Sequence, residues 1–178
     1  MVGMSRYETF TPEDARLAEA QLGRPVRGVA GVAWRCPCGR PGVLATEPRL
    51  PGGTPFPTTF YLTCPRAVAA VSRLEASGIM TEMTERLATD AELADHHRRA
   101  HEAYLAARAE LAEALGDDVP EIEGFSAGGM PTRVKCLHAL VGHALAAGPG
   151  VNPIGDEALA MLGEFWTGPC TPEEVAHE

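Results

Sequence analysis

The sequence predicts an α+β protein, a small N-terminal antiparallel sheet packed on a mainly helical body. Three observations carry this. Val26, Ala30, Val32 and Trp34 share one face at period two between Val26 and Arg35, the alternation of a strand. Two further apolar stretches, Val43 to Thr46 and Thr58 to Thr63, follow it across turn and loop segments rich in Pro and Gly. From Cys64 onward the punctuation changes to helix starts and stops.

The elements follow in order. Thr11-Pro12-Glu13-Asp14 combines a capping hydroxyl, a first-turn proline and acids facing the helix dipole, so a helix is expected up to Leu22, stopped by Gly23. Cys36 to Gly42 is a turn between the first two strands, and Glu47 to Pro57 is a loop. Cys64 precedes a helix with Pro65 in its first turn, carrying Val68, Val71 and Leu74 and ending at Gly78. A short helix is expected over Met80 to Leu87. A long one follows over Asp90 to Leu115, with Leu93, Ala100, Tyr104, Leu111 and Leu115 as its buried stripe. Gly116 to Gly124 is an acidic loop. Pro131 to Ala147 is expected to be helical, closed by Gly148-Pro149-Gly150. After the turn Asn152-Pro153-Ile154-Gly155, Asp156 is expected to cap a helix to about Phe165. Residues 1–178 are expected to form one domain, with a frayed tail from about residue 167 and a final turn at Thr171.

Composition narrows the function classes. The 178 residues, 45% of them hydrophobic, suffice for a packed core. No apolar run approaches the roughly 20 residues that span a bilayer, and the polar, acidic start lacks a signal-peptide pattern, so a cytoplasmic location without membrane contact is expected. Fifteen basic against 24 acidic side chains leave a net charge of −9, which disfavours broad nucleic-acid binding while allowing a local basic pocket. The abundance of Ala, Arg, Gly and Pro is that of a GC-rich genome, in which Lys and Asn are rare. Lys135 is the only lysine and Asn152 the only asparagine, and both fall between Gly128 and Asp156.

The five cysteines are Cys36, Cys38, Cys64, Cys136 and Cys170. In a reducing compartment, metal binding or thiol chemistry is expected before disulfides. In an up-down-up meander the first and third strands end at one edge, which brings Cys36, Cys38 and Cys64 together. Cys-Pro-Cys-Gly resembles half of a zinc knuckle, one residue shorter than the usual spacing. Cys136 would complete four sulfurs, the donor set of zinc or an iron–sulfur cluster, with Cys170 outside it. Cys64 at a helix start is expected to have a lowered thiol pKa. On a regular helix Cys136 and His138 differ by about 200°, and Cys136 and His143 lie about 10 Å apart, so Cys136 would be that helix's only ligand. His97 and His101 have the i, i+4 spacing of paired ligands, although such pairs more often serve packing.

The stretch from Gly128 to Asp156 carries the remaining candidates. Gly128 and Gly129 before a helix expose backbone amides that hold anions. Arg133 and Lys135 would add charge, His138 or His143 would move protons, and Asn152 and Asp156 would orient a ligand. An ordinary amphipathic helix between glycine turns explains the same pattern without a ligand.

Gln21-Leu22-Gly23-Arg24, Arg35-Cys36, Gly53 to Thr58, Tyr61 to Pro65, Ala100-His101 with Tyr104 and Arg108, and the Gly128 to Asp156 stretch resemble a family of unknown function, domain-of-unknown-function family 501, found mainly in actinobacteria. The resemblance implies no activity. It ties Cys36, Cys64 and Cys136 to the family pattern more firmly than Cys38, which favours three cysteines plus another ligand. The neighbourhood of its genes implies a link to cell division or phosphate metabolism. Two functions stand as expectations. One is a metal- or thiol-containing enzyme acting on a small anionic substrate. The other is an interaction module with a cysteine-stapled sheet that docks a protein partner.

Overall fold

The computed structural model describes residues 6–166, 168 and 170. The predicted final turn at Thr171 lies outside these residues. The architecture is the expected α+β arrangement. Helix α1 (Pro12–Leu22) precedes strands β1 (Val29–Arg35), β2 (Pro41–Thr46) and β3 (Phe60–Leu62). Helices α2 (Pro65–Ala76), α3 (Ile79–Thr89), α4 (Ala91–Leu115), α5 (Leu137–Ala147) and α6 (Pro153–Leu162) follow, with a 3-10 turn at Pro120–Ile122. Among the described residues, no helix is long and apolar enough to cross a membrane.

The caps explain the first helix. Thr11 Oγ1 accepts the Asp14 N–H and the Asp14 carboxylate accepts the Thr11 N–H, both at 3.1 Å, satisfying two donors reciprocally. The sheet is the predicted antiparallel meander in the order β1-β2-β3. All six residues of the central strand β2 are buried. Strands β1 and β3 therefore run the same way and deliver Cys36 and Cys64 to one edge. The first and third strands are shorter than the apolar pattern suggested.

Helix α5 lies against β3 and is buried around most of its circumference. Two glycines permit this. A Cβ at Gly142 would stand 2.9 Å from the Phe60 carbonyl oxygen, and one at Gly155 would collide with the Leu140 carbonyl of α5. Where strand, α4 and α5 meet, Phe60, Tyr104 and His143 pack ring on ring. His143 stacks on Phe60 at 5.5 Å, and the Tyr104 ring meets both edge-on. The Tyr104 hydroxyl accepts the Thr59 N–H at 2.7 Å. Leu115, assigned to the buried stripe of α4, is instead 47% exposed at the helix end.

Two helix starts differ from expectation, each for a local reason. The segment from Pro131 is not helical, and α5 begins at Leu137. Tertiary bonds hold the segment open. Thr84 Oγ1 accepts the Val134 N–H at 3.0 Å, His97 Nε2 meets the Arg133 carbonyl at 3.2 Å, and the Gly128 carbonyl takes the Lys135 N–H at 2.7 Å. Asn152, not Asp156, caps α6. Its Oδ1 accepts the Gly155 N–H at 2.9 Å with Pro153 in the first turn, while Asp156 accepts the Gly150 N–H at 2.9 Å.

Candidate metal centre and thiol site

Four of the five cysteines gather at the sheet edge. Cys36 ends β1, and a tight turn, with the Gly39 N–H on the Cys36 carbonyl at 2.8 Å, brings Cys38 back beside it. Cys64 follows β3 as the residue capping α2. Cys170 returns to the same edge after α6. The Cys36, Cys38 and Cys170 sulfurs lie within 4.8 Å of one another, and Cys38 and Cys170 are 3.4 Å apart. The Cys64 thiol is hydrogen-bonded to the Cys170 sulfur and interacts with Cys36. Cys36, Cys64 and Cys170 are buried and Cys38 is half-buried. Gln21 Nε2 donates to the Cys170 sulfur at 3.4 Å and to the Pro41 carbonyl at 2.7 Å, tying α1 to the group.

Thiols this close compete for ionisation. The bond to Cys170, then burial, raises the Cys64 thiol, while Cys170, which accepts that bond, is lowered to about 5. Burial pushes Cys36 up to about 11. The expected lowering of Cys64 by the helix dipole is thus overturned, because the hydrogen bond to Cys170, then burial, outweighs the Ala67 amide at the start of α2.

Cys136 belongs to a different group. It occupies the N-cap of α5 with extended backbone, φ −148° and ψ 110°. Its ligand atom and those of Glu75 and His138 lie within 4.8 Å of one another. The regular-helix geometry that separates Cys136 from His138 does not apply, because a cap residue turns its side chain back over the first helical turn. At 1.5 Å per residue, the eleven steps from Cys64 to Glu75 along α2 span about 16 Å. Cys136 is therefore at the opposite end of α2 from the sulfur it was expected to join, and Cys170 takes that place. Glu75 Oε1 accepts the Leu137 N–H at 2.8 Å and meets His138 Nδ1 at 3.0 Å. Ser72 Oγ faces His138 Nε2 at 3.2 Å. The His138 and Glu75 side chains are 28% and 23% exposed, so solvent reaches both.

The electrostatics of this group are self-consistent. The hydrogen bond with Cys136, then Glu75, raises His138 to about 9. His138, then the Ala139 amide facing the sulfur, lowers the Cys136 thiol against the opposing effect of burial. Both groups, Cys36-Cys38-Cys170 and Glu75-Cys136-His138, are compact enough to hold a metal ion.

The other candidates are distributed through the fold. Arg133 and Lys135 are exposed on the loop that leads into Cys136. Gly128 and Gly129 have φ of +68° and +92°, and their open sides are filled by their own chain: a Cβ would stand 2.7 Å from Leu140 and 2.9 Å from the Arg133 carbonyl. They shape a turn that folds onto α5. The expected anion cradle at Pro131 has no helix behind it. Asn152 is buried, and its Nδ2 lies 3.1 Å from His143 Nδ1. His97 and His101 do not act as a pair: His97 faces the Arg133 carbonyl, and His101 Nδ1 faces Ser126 Oγ at 2.7 Å.

His143 is 1% exposed, and burial, followed by nearby Arg6, lowers it to about 4. An unfolded histidine titrates near 6.5. Between about pH 6.5 and 4 the unfolded chain thus binds a proton that folded His143 refuses, so stability falls as pH falls through this window. The full effect is worth about 3 kcal/mol. His97 and His101, also lowered chiefly by burial, act with the same sign. Urea unfolding at pH 7 and pH 5 should therefore show a loss of stability that is clearly smaller in His143→Phe; an equal loss in both proteins would remove His143 as its source.

The sheet edge and the α2–α5 junction define an α+β protein with two thiol-bearing centres. Residues 32–160, most of the chain, match the family described as Protein of unknown function (DUF501), and the chain belongs to that family. No curated protein and no solved structure matches the chain. The matched region takes in Cys36, Cys38, Cys64, Glu75, Cys136 and His138, whereas Cys170 lies beyond it.

Proposed function

We propose that the protein is a metalloprotein in which Cys36, Cys38, Cys64 and Cys170 together hold one zinc ion. The ion staples β1, the start of α2 and the chain after α6 to one sheet edge. The observation that carries this is the convergence of the four sulfurs. Zinc–sulfur bonds of about 2.3 Å place tetrahedral sulfurs about 3.8 Å apart. The 3.4 Å Cys38–Cys170 separation and the 4.8 Å limit on Cys36, Cys38 and Cys170 fit one shared ion, with Cys64, hydrogen-bonded to Cys170, as the fourth ligand. Sulfurs that hold separate irons of a cluster stand further apart, which favours zinc over an iron–sulfur centre. A disulfide would join two of the four and leave the other two as buried thiols.

Charge distinguishes the two centres. Glu75-Cys136-His138 contains its own cation, the His138 imidazolium, and its members are hydrogen-bonded to one another. In the four-cysteine group the nearby Arg40 helps to lower Cys170, and a metal ion would neutralise the further thiolates. Four protein ligands close the coordination shell, the arrangement of a structural site, and leave any chemistry to the other end of α2. A small anionic ligand at that end would meet Arg133 and Lys135, both exposed. Elemental analysis of the purified chain should find about one zinc per molecule, retained in Cys136→Ser. Absence of metal, iron in cluster amounts, or loss of zinc in Cys136→Ser would refute the assignment.

A further inference from the structure

We propose that Cys136 is the nucleophile of an acyl-transfer site, with His138 as its general base and acid and Glu75 as the residue that positions the imidazole. This goes beyond the zinc assignment, and its test reads no metal, so the two can fail separately.

The placement comes from the backbone. Glu75 stands near the end of α2, Cys136 caps α5, and His138 lies in the first turn of α5. One carboxylate oxygen of Glu75 fixes both the Leu137 amide and the His138 ring, so helix start and imidazole are held together. Ser72 Oγ faces the other ring nitrogen, so proton exchange with Cys136 either shares Nδ1 with Glu75 or displaces the Ser72 hydroxyl from Nε2. The sulfur lies within 4.8 Å of the Glu75 and His138 ligand atoms and beside the positive end of α5. A cysteine with a neighbouring imidazole, itself oriented by a third group, is the constellation of thiol acyl-transfer enzymes. A dithiol redox cycle is disfavoured, because the other four cysteines gather about 16 Å away at the far end of α2.

The substrate class is an activated acyl ester or thioester. The Cys136 thiolate attacks the carbonyl carbon, and a carbon–sulfur bond forms as the bond to the leaving alkoxide or thiolate breaks. The leaving group takes the proton from His138. Water then attacks the Cys136 thioester and gives a proton to His138. The acid is released, and the thiolate–imidazolium pair is restored.

The test treats the full purified chain with 4-nitrophenyl acetate and maps the adduct by mass spectrometry. One acetyl group on Cys136 is expected, absent in Cys136→Ser and Cys136→Ala. His138→Gln should slow turnover about 100-fold or more. In parallel, the pH dependence of iodoacetamide alkylation at Cys136 separates positioning from folding. The wild-type rate should stay near its plateau well below pH 8, whereas in His138→Gln it should follow an ordinary thiol of pKa about 8.5. Glu75→Gln should shift the same profile with circular dichroism unchanged. No acetyl group on Cys136, a wild-type profile already that of an ordinary thiol, or profiles that neither variant alters would overturn the proposal.

Discussion

Cys64→Ser is expected to release the zinc and lower the thermal midpoint by about 10 to 20 °C. Cys64 is fully buried between β3 and α2 and is hydrogen-bonded to Cys170, so its loss removes one of the four proposed ligands. Structural zinc contributes about 10–16 kcal/mol of binding free energy in small zinc-finger peptides. The core that holds these cysteines extends well beyond them, through Phe60, Tyr104 and Leu140, so only part of such a value should be felt, on the order of 5 kcal/mol. For a chain of this length, 1 kcal/mol moves the midpoint by roughly 2–4 °C. Cys136→Ser is the control: it keeps the cap position at α5, leaves the sheet edge untouched and should move the midpoint by only a few degrees. Thermal melts of both variants with metal analysis check the pair. Equal shifts would show that the sheet-edge cysteines are packing residues.

Arg108→Ala is expected to cost about 3–5 kcal/mol without affecting the metal. The Arg108 guanidinium is 4% exposed. It donates to the Pro57 carbonyl at 2.7 Å, to Ile122 at 3.2 Å, to Ser126 at 3.4 Å and to Phe125, and it lies 5.8 Å from the Tyr104 ring centre. One side chain thus ties α4 to two irregular segments, the loop before β3 and the turn after the 3-10 helix. Burial lowers its pKa, so the buried charge carries a desolvation cost. Truncation leaves these acceptors without their donor. Arg108→Lys should recover only part of the loss, because an ammonium cannot reproduce the planar fork. Urea unfolding measures both; an Arg108→Ala cost below about 1 kcal/mol would mean that water replaces the guanidinium at these carbonyls.

The parts of the fold that were legible in the sequence are those written in local chemistry. The Thr11-Pro12-Asp14 cap, the long helix that stops at Gly116 and the period-two strand before Cys36 all rest on signals within a few residues, and all formed as expected. The meander that unites Cys36, Cys38 and Cys64 followed from strand direction alone. What was hidden depended on distant partners. Nothing in Pro131 to Cys136 signals that Thr84, His97 and Gly128 hold it out of a helix. That one error moved Cys136 away from His138. Cys170 was set aside because it stands near the end of the chain, yet it sits against Cys38. Glu75 carried no signal of its own, being an ordinary surface acid on a helix until α5 docks beside it. The Asn152-Pro153 pair did contain a usable signal, since Asn before Pro is a cap followed by a first-turn proline, the same pattern as Thr11-Pro12. His143 had the residue type of a proton carrier, but its position on the face of α5 that meets Phe60 made it part of the core.

The central claim is that the metal lies among four sulfurs and away from His138. Zinc K-edge X-ray absorption on the purified chain reads the ligand set directly. The expected result is a first shell of four sulfur scatterers at about 2.3 Å with no imidazole contribution. A shell containing nitrogen or oxygen at about 2.0–2.1 Å would place the ion with Glu75, Cys136 and His138 and contradict the account.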